Sequence, residues 1–125
     1  MKILVVEDNE AVRDLLALIL ERLGYVPVLA SHGKEGLKKA IAEKPNLIII
    51  DMMMPVMNGW ELARALRANP DTKNIPILAI TAVFRPQELK TCLEAGCNAY
   101  IIKPFSILNL QRKIRKLLAA PGAKA

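Results

Sequence analysis

The sequence is poor in the residues on which most metal and redox sites depend. Its 125 residues include two cysteines and one histidine, and aromatic side chains make up 4 % of the chain. These numbers exclude a zinc cluster of His and Cys, and the shortage of aromatics argues against a surface for sugars or single-stranded nucleic acid. Cys92 and Cys97 lie five positions apart, and on one helix that spacing holds their Cα atoms beyond the limit of roughly 7 Å for a disulfide. We therefore predict two buried thiols, and we interpret His32 as a solvated turn residue.

Long hydrophobic segments are also missing. The longest apolar run covers residues 15–20, far fewer than the roughly 18 residues that a bilayer span needs. The apolar start of the chain reaches Glu7 and Asp8 before a signal-peptide core could form. A chain of this length corresponds to one ordinary domain, which excludes a two-domain enzyme. We expect a cytoplasmic protein with no membrane partner.

Positive charge is concentrated near the end of the chain. Residues 105–125 contain no Asp or Glu and carry five of the six net positive charges at pH 7. Arg112, Arg115 and Lys116 lie near one face of a predicted helix and could pair with an acidic partner or a second copy. Because exposed basic helix faces are most often only solvated, we do not expect direct binding of nucleic acid.

Short apolar runs alternate with segments of helical periodicity along the whole chain. We predict strands at residues 2–6, 25–30, 47–50, 76–80 and 99–102, and helices that end before Gly24 and cover residues 34–43, 59–68, 86–95 and 105–118. Residues 47–50 and 77–80 are continuously apolar, which is typical of parallel strands buried on both faces. Right-handed crossovers then place helices on both sides of the sheet. The prediction is a doubly wound α/β sandwich of three layers, with a ligand site beyond the carboxyl ends of its strands.

Polar side chains follow four of these strands at the point where each strand ends. The first strand leads to Glu7 and Asp8, the third to Asp51, the fourth to Thr81 and the fifth to Lys103. Three carboxylates brought together raise one another's pKa values unless a cation neutralises them, and Mg²⁺ is a hard cation that prefers oxygen ligands. A single acid here would be explained as a helix cap, whereas the whole set predicts a magnesium site.

Together these motifs resemble the receiver domain of two-component response regulators, over residues 2–118. The likeness is carried, in family order and at family-like spacing, by the pair Glu7-Asp8, residues 51–59, the pair Thr81-Ala82 and residues 99–105. The resemblance implies a flavodoxin-like sheet of five parallel strands in the order 2-1-3-4-5 with five helices. It also implies a receiver domain at residues 1–120, followed by a frayed tail at residues 121–125.

The resemblance further implies a reaction. Asp51 would accept a phosphoryl group from a phosphohistidine on a sensor histidine kinase or a phosphotransfer protein. Mg²⁺ would be held by Asp8, Asp51 and the backbone carbonyl of Met53, with Glu7 contributing through water, while Lys103 supplies a fixed cation. Such a chain is a signalling domain that catalyses only its own phosphorylation and slow dephosphorylation.

A switch is implied as well. The phosphoryl group would recruit the Thr81 hydroxyl and the Ala82 backbone N–H, and Tyr100 would take the space that Thr81 vacates. The face formed by the fourth helix, fifth strand and fifth helix would then bind a downstream protein or a second copy. For Tyr100, an ordinary half-buried strand position is the alternative interpretation.

Several residues are predicted to shape the backbone around this site or to set how long the phosphoryl group persists. Pro55, Gly59 and Pro104 belong to the first group, and the resembled family has a cis peptide bond at the position of Lys103-Pro104. Met53 and Val83 occupy the two positions that flank the phosphoryl group in this family. Both are apolar and unable to orient an attacking water, which predicts a long-lived phosphorylated state.

Three other functions were weighed against this one. A flavodoxin-like cofactor binder needs a phosphate-cradling loop after the first strand, where residues 7–10 are acidic. An aspartyl phosphatase needs a second acid two residues after its nucleophile, and Met53 stands there. A receiver-like module that only docks partners usually lacks one of the acids, the Thr or the Lys, all of which are present. We favour a stand-alone regulator over a receiver cut from a longer one.

Overall fold

The computed structural model describes residues 1–52, 59–82 and 86–119. Five strands alternate with five helices: β1 (Lys2–Val6), α1 (Glu10–Arg22), β2 (Val26–Ala30), α2 (Gly33–Glu43), β3 (Leu47–Asp51), α3 (Gly59–Ala68), β4 (Ile77–Thr81), α4 (Pro86–Glu94), β5 (Ala99–Ile102) and α5 (Ile107–Ala119). The strands are parallel and form one sheet in the order β2-β1-β3-β4-β5. The predicted fold class and strand order are confirmed.

Helices cover both faces of the sheet and create two cores. Ile48 and Ile50 of β3 point into the core beneath α2, α3 and α4, whereas Leu47 and Ile49 point into the core beneath α1 and α5. Successive side chains of a strand face opposite sides, so a strand covered on both sides must be apolar throughout. This explains the continuous apolar runs in β3 and β4, whose residues are all buried.

Some predicted element ends were wrong by one or two residues, and capping explains two of them. The last helix begins at Ile107 rather than residue 105, because the Ser106 Oγ accepts a hydrogen bond from the Asn109 N–H at 3.0 Å and so caps the helix. The second helix begins at Gly33 rather than residue 34, because His32, which is exposed as expected, caps it through Nδ1, which accepts from the Glu35 N–H at 3.2 Å.

The remaining element ends differ by single residues. The second strand starts at residue 26 rather than 25 and the fourth at residue 77 rather than 76, while the third and fourth each extend one residue further to include Asp51 and Thr81. The fourth helix ends one residue earlier than predicted, and the last helix ends one residue later.

The two cysteines are buried and free, which confirms the prediction of buried thiols. The argument from spacing was wrong, however, because α4 ends at Glu94 and Cys97 lies in the turn after it. The backbone N–H of Cys97 donates to the carbonyl of Cys92 at 3.4 Å. The two residues therefore come closer than five positions along a helix would allow.

Several predictions fall on residues outside the described ranges. These are the roles of Met53, Pro55 and Val83 and the boundary between the receiver domain and a tail at residues 121–125. Within the described ranges, no helix is long and apolar enough to span a membrane.

Candidate functional site

Three carboxylates meet at the carboxyl edge of the sheet. Glu7 and Asp8 directly follow β1, and Asp51 is the last residue of the neighbouring strand β3. One ligand oxygen from each of the three lies within 4.8 Å of the others. Glu7 is 2 % and Asp51 6 % exposed, whereas Asp8 faces solvent. The structure thus brings the three predicted acidic residues together.

Glu7 shows the electrostatic strain of this cluster most clearly. Burial raises the pKa of Glu7 to about 7, with further upward contributions from hydrogen bonding to Asp51 and Asp8 and from the Asp51 charge. The Asn9 N–H donates to Glu7 Oε2 at 3.3 Å and opposes that rise. Glu7 Oε1 is buried and has no hydrogen-bond partner among the described residues. Carboxylates at such distances are all ionised only beside a compensating cation.

Lys103 supplies one positive charge to the cluster. Its Nζ lies 3.7 Å from Glu7 Oε1 and 4.0 Å from Asp51 Oδ1. The backbone N–H of Lys103 donates to the Thr81 carbonyl at 2.8 Å, which ties the segment after β5 to the end of β4. The Lys103-Pro104 peptide bond is cis. Within residues 1–52, 59–82 and 86–119, Lys103 therefore forms ion pairs with two of the three carboxylates, Glu7 and Asp51.

This donor set fits Mg²⁺. All three side chains offer oxygen, the ligand atom that this hard cation prefers. Among the described residues the buried Oε1 of Glu7 accepts no hydrogen bond, although the Lys103 ammonium lies 3.7 Å from it, so it keeps acceptor capacity for a cation or a water. Asp8 and Asp51 would hold the ion, with Glu7 behind them. The fourth predicted ligand, the Met53 carbonyl, lies outside the described residues.

Thr81 and Tyr100, the two residues of the predicted switch, lie on neighbouring strands. Thr81 ends β4, is 4 % exposed, and adjoins the strand that carries Asp51; Ala82 follows it and is exposed. Tyr100 lies on β5 and is half-buried, and the Lys113 Nζ of α5 is 5.9 Å from its ring centroid, a cation–π distance.

Gly59 allows α3 to begin directly against the end of β3. A Cβ added there would lie 2.5 Å from the Met52 Sδ, 2.6 Å from the Met52 Cα and 3.1 Å from the Asp51 carbonyl oxygen. Only glycine therefore permits this approach. The contact couples the first turn of α3, which includes Trp60, to the strand end that carries the central carboxylate.

Two residues near the site escaped the sequence analysis. Asn9 caps α1 through Oδ1, which accepts from the Val12 N–H at 3.0 Å, and its own N–H reaches Glu7. Its place just before a periodic segment was a usable capping signal. Arg13 Nη1 donates to the Glu7 carbonyl at 2.9 Å, a contact that no sequence pattern indicates.

Comparison with known proteins identifies the family. Residues 3–115 match the family model of the response regulator receiver domain. The chain is 42 % identical to the chemotaxis protein CheY1 of Helicobacter pylori over 120 residues, covering 94 % of this chain and 97 % of that protein. It is 40 % identical to the alkaline phosphatase synthesis transcriptional regulatory protein PhoP of Bacillus subtilis over 128 residues, covering 98 % of this chain and 52 % of PhoP. The chain spans about half the length of the curated transcriptional regulators that it matches.

A solved structure bears on the acidic cluster. The fold is similar to the receiver domain of a sensor histidine kinase from Pseudomonas aeruginosa, which was solved with a magnesium ion coordinated in its active site cleft. The TM-score is 0.88 at 32 % identity, and the match covers 95 % of this chain and 98 % of that chain. With the parallel sheet and the acidic cluster at its carboxyl edge, these matches show that the chain belongs to the response regulator receiver domain family of two-component systems.

Proposed function

We propose that the chain is a phosphorylation-activated receiver in which Asp51 accepts a phosphoryl group from a phosphohistidine, in a reaction that requires Mg²⁺. The donor is a sensor histidine kinase or a phosphotransfer protein. One observation carries this proposal: the buried Asp51 carboxylate lies in a cluster with two further acids and 4.0 Å from the Lys103 ammonium. This is the charge pattern that an incoming, negatively charged phosphoryl group and a divalent cation would complete.

In the proposed reaction one covalent bond forms on the protein and one bond in the donor breaks. An oxygen of the Asp51 carboxylate attacks phosphorus, and the bond from phosphorus to the imidazole nitrogen of the donor breaks. Phosphoryl transfer depends mainly on positioning and on neutralising the oxygens of the transferred group. A bound Mg²⁺ supplies Lewis-acid charge neutralisation, held by Asp8 and Asp51 with Glu7 behind them. Lys103, about one-third exposed and on a flexible stem, would donate to a phosphoryl oxygen from another side.

The modified Asp51 then recruits donors from the neighbouring strand. A phosphoryl group adds negative charge and strong acceptor oxygens. The donors that we assign to these oxygens are the Thr81 hydroxyl and the Ala82 N–H, at the end of β4, the strand beside β3. Tyr100, on the neighbouring strand β5, then takes the space that the Thr81 side chain leaves. The face formed by α4, β5 and α5 thereby changes its affinity for a downstream protein or a second copy, until slow hydrolysis restores the starting state.

Phosphorylation by a small donor tests this proposal without the cognate kinase. Phosphoramidate has the same P–N bond type as phosphohistidine, and intact-mass measurement counts the phosphoryl groups added. We expect one group on the wild type, only when Mg²⁺ is present, and none on Asp51→Asn. Asp14→Asn removes an exposed acid of α1 as a matched control and should react like the wild type. Modification without Mg²⁺, or equal modification of Asp51→Asn, would contradict the proposal.

A further inference from the structure

The turn after α4 folds the chain back on the end of that helix. Gly96 has a φ of +117°, a conformation that favours glycine. Its N–H donates to the Leu93 carbonyl at 3.1 Å, and the next residue, Cys97, donates to the Cys92 carbonyl at 3.4 Å. These two bonds define a Schellman motif, in which the side chain after the turn packs on the side chain one turn before the end of the helix. In this protein both of those side chains are thiols.

The two thiols are buried in the same core. Cys92 is 2 % and Cys97 6 % exposed, and both belong to the core beneath α2, α3 and α4. The hydrogen bond with Cys97 lowers the pKa of Cys92, whereas the same bond and burial raise the pKa of Cys97. The Arg67 guanidinium lies beside them, and its Nε donates to the Gly96 carbonyl at 2.9 Å. The charge of the Arg67 guanidinium acts against the rise in the pKa of Cys97.

The backbone of the turn is compatible with a covalent link between the two residues. Disulfides join residues whose Cα atoms are roughly 4.4–6.8 Å apart, a range compatible with a direct backbone hydrogen bond between the two residues. We propose that Cys92 and Cys97 are an oxidative modification site, at which a low-molecular-weight disulfide of the glutathione class converts them to an intramolecular disulfide across the turn. Neither phosphorylation nor Mg²⁺ enters this proposal.

The reaction is thiol–disulfide exchange in two steps. In a local opening of the turn that exposes the buried Cys92, its thiolate attacks one sulfur of the small disulfide, the S–S bond of that reagent breaks, and one small thiolate leaves. The Cys97 thiolate then attacks the Cys92 sulfur of the mixed disulfide, and the second small thiolate leaves. The two protons from the cysteines end on the two released thiols. The protein loses two hydrogens and two electrons, and the reagent gains them.

Redox equilibration in glutathione buffers tests the proposal. The protein is incubated at graded ratios of oxidised to reduced glutathione, once folded and once unfolded in urea, then quenched in acid, alkylated and weighed by mass spectrometry. Because the turn holds the sulfurs together only in the folded chain, we expect the folded protein to form the intramolecular disulfide at a ratio about tenfold less oxidising than the unfolded protein does. Cys92→Ser and Cys97→Ser should form only mixed disulfides.

A second measurement uses the wild type alone, so that it does not depend on how the serine variants fold. If folding favours the disulfide, the disulfide must stabilise the fold by the same factor, and urea unfolding of the oxidised protein should shift to higher urea than that of the reduced protein. Equal oxidation of folded and unfolded chains would overturn the proposal. So would accumulation of the mixed disulfide, disulfide-linked dimers, or a lower unfolding midpoint after oxidation.

Discussion

At the scale of single residues, Asp51 imposes a cost on the fold. The charge of Asp51 helps to raise the pKa of Glu7, because two ionised carboxylates this close repel each other. We expect Asp51→Asn to raise the free energy of unfolding in Mg²⁺-free buffer by about 1 kcal/mol. Asp14→Asn, on the exposed face of α1, should stay within about 0.5 kcal/mol of the wild type. Urea unfolding measures both, and a destabilised Asp51→Asn would show that the carboxylate supports the fold.

Lys103 is the second residue whose role is testable alone. Its ammonium lies 3.7 Å from Glu7 and 4.0 Å from Asp51, and a phosphoryl group on Asp51 would bring further negative charge to it. We expect Lys103→Met to slow phosphorylation by phosphoramidate roughly 100-fold, the loss typical when one preorganised donor is removed. Lys38→Met removes an exposed lysine of α2 and should leave the rate unchanged. If both variants react at the wild-type rate, Lys103 serves only to offset the acids.

At the scale of elements, the start of α3 depends on Gly59. A methyl group there meets the backbone of Met52 and Asp51, whereas one at Gly36 in α2 meets mainly the side-chain methyls of Val6, at 2.8 and 3.1 Å. Side-chain tips can shift and strand backbone cannot, so we expect Gly59→Ala to cost about 3 kcal/mol and Gly36→Ala about 1 kcal/mol or less. Urea unfolding of both variants gives the comparison. A smaller loss for Gly59→Ala than for Gly36→Ala would mean that α3 moves freely away from β3.

Elements were predictable where hydrophobic burial decides them. The apolar runs of β3 and β4 are dictated by cover on both faces, and that pattern is visible in sequence. The start of α5 was placed two residues too early because Phe105, although it packs against the core, precedes the capping Ser106. The Cys92–Cys97 contact was missed because it depends on the left-handed Gly96, and spacing alone treats the segment as one continuous helix.

At the scale of the whole molecule, the site and the opposite end of the sheet are held by different interactions. Arg67, at the end of α3, donates to the carbonyls of Gly96 and Ile75 at 2.9 and 2.7 Å and to the Asn98 Oδ1 at 2.7 Å. It thus joins the segments that enter β4 and β5, at the edge away from the acids. We expect Arg67→Met to lower the free energy of unfolding by about 2 kcal/mol without changing Mg²⁺ binding.

The control for that prediction is Arg67→Lys, which keeps the charge and loses the fork of donors. It should fall between the wild type and Arg67→Met in urea unfolding. A change in Mg²⁺ affinity in either variant would mean that the two ends of the sheet are coupled. That result would contradict the claim that separate interactions hold the acidic site and the opposite edge of the sheet.

The candidate site was predictable from sequence because parallel strands end at one edge. Glu7, Asp8 and Asp51 each follow a strand directly, so their meeting follows from topology. The charge balance could not be predicted in the same way. The raised pKa of Glu7, and the absence of a hydrogen bond to its Oε1 among the described residues, depend on depth of burial and on atomic distances. The same is true of the hydrogen bond from Arg13 to the Glu7 carbonyl and of the tight contact at Gly59.

The most direct test of the receiver assignment is titration with Mg²⁺ and then beryllofluoride, a phosphoryl mimic, followed by Trp60 fluorescence. Trp60 is half-buried in the first turn of α3, next to the glycine that touches Met52 and Asp51, so a change at the carboxylate reaches its indole. The account predicts a fluorescence change that requires both ions and is absent in Asp51→Asn. A wild type that responds to neither ion, or an equal response in Asp51→Asn, would contradict it and leave the acids as a structural feature.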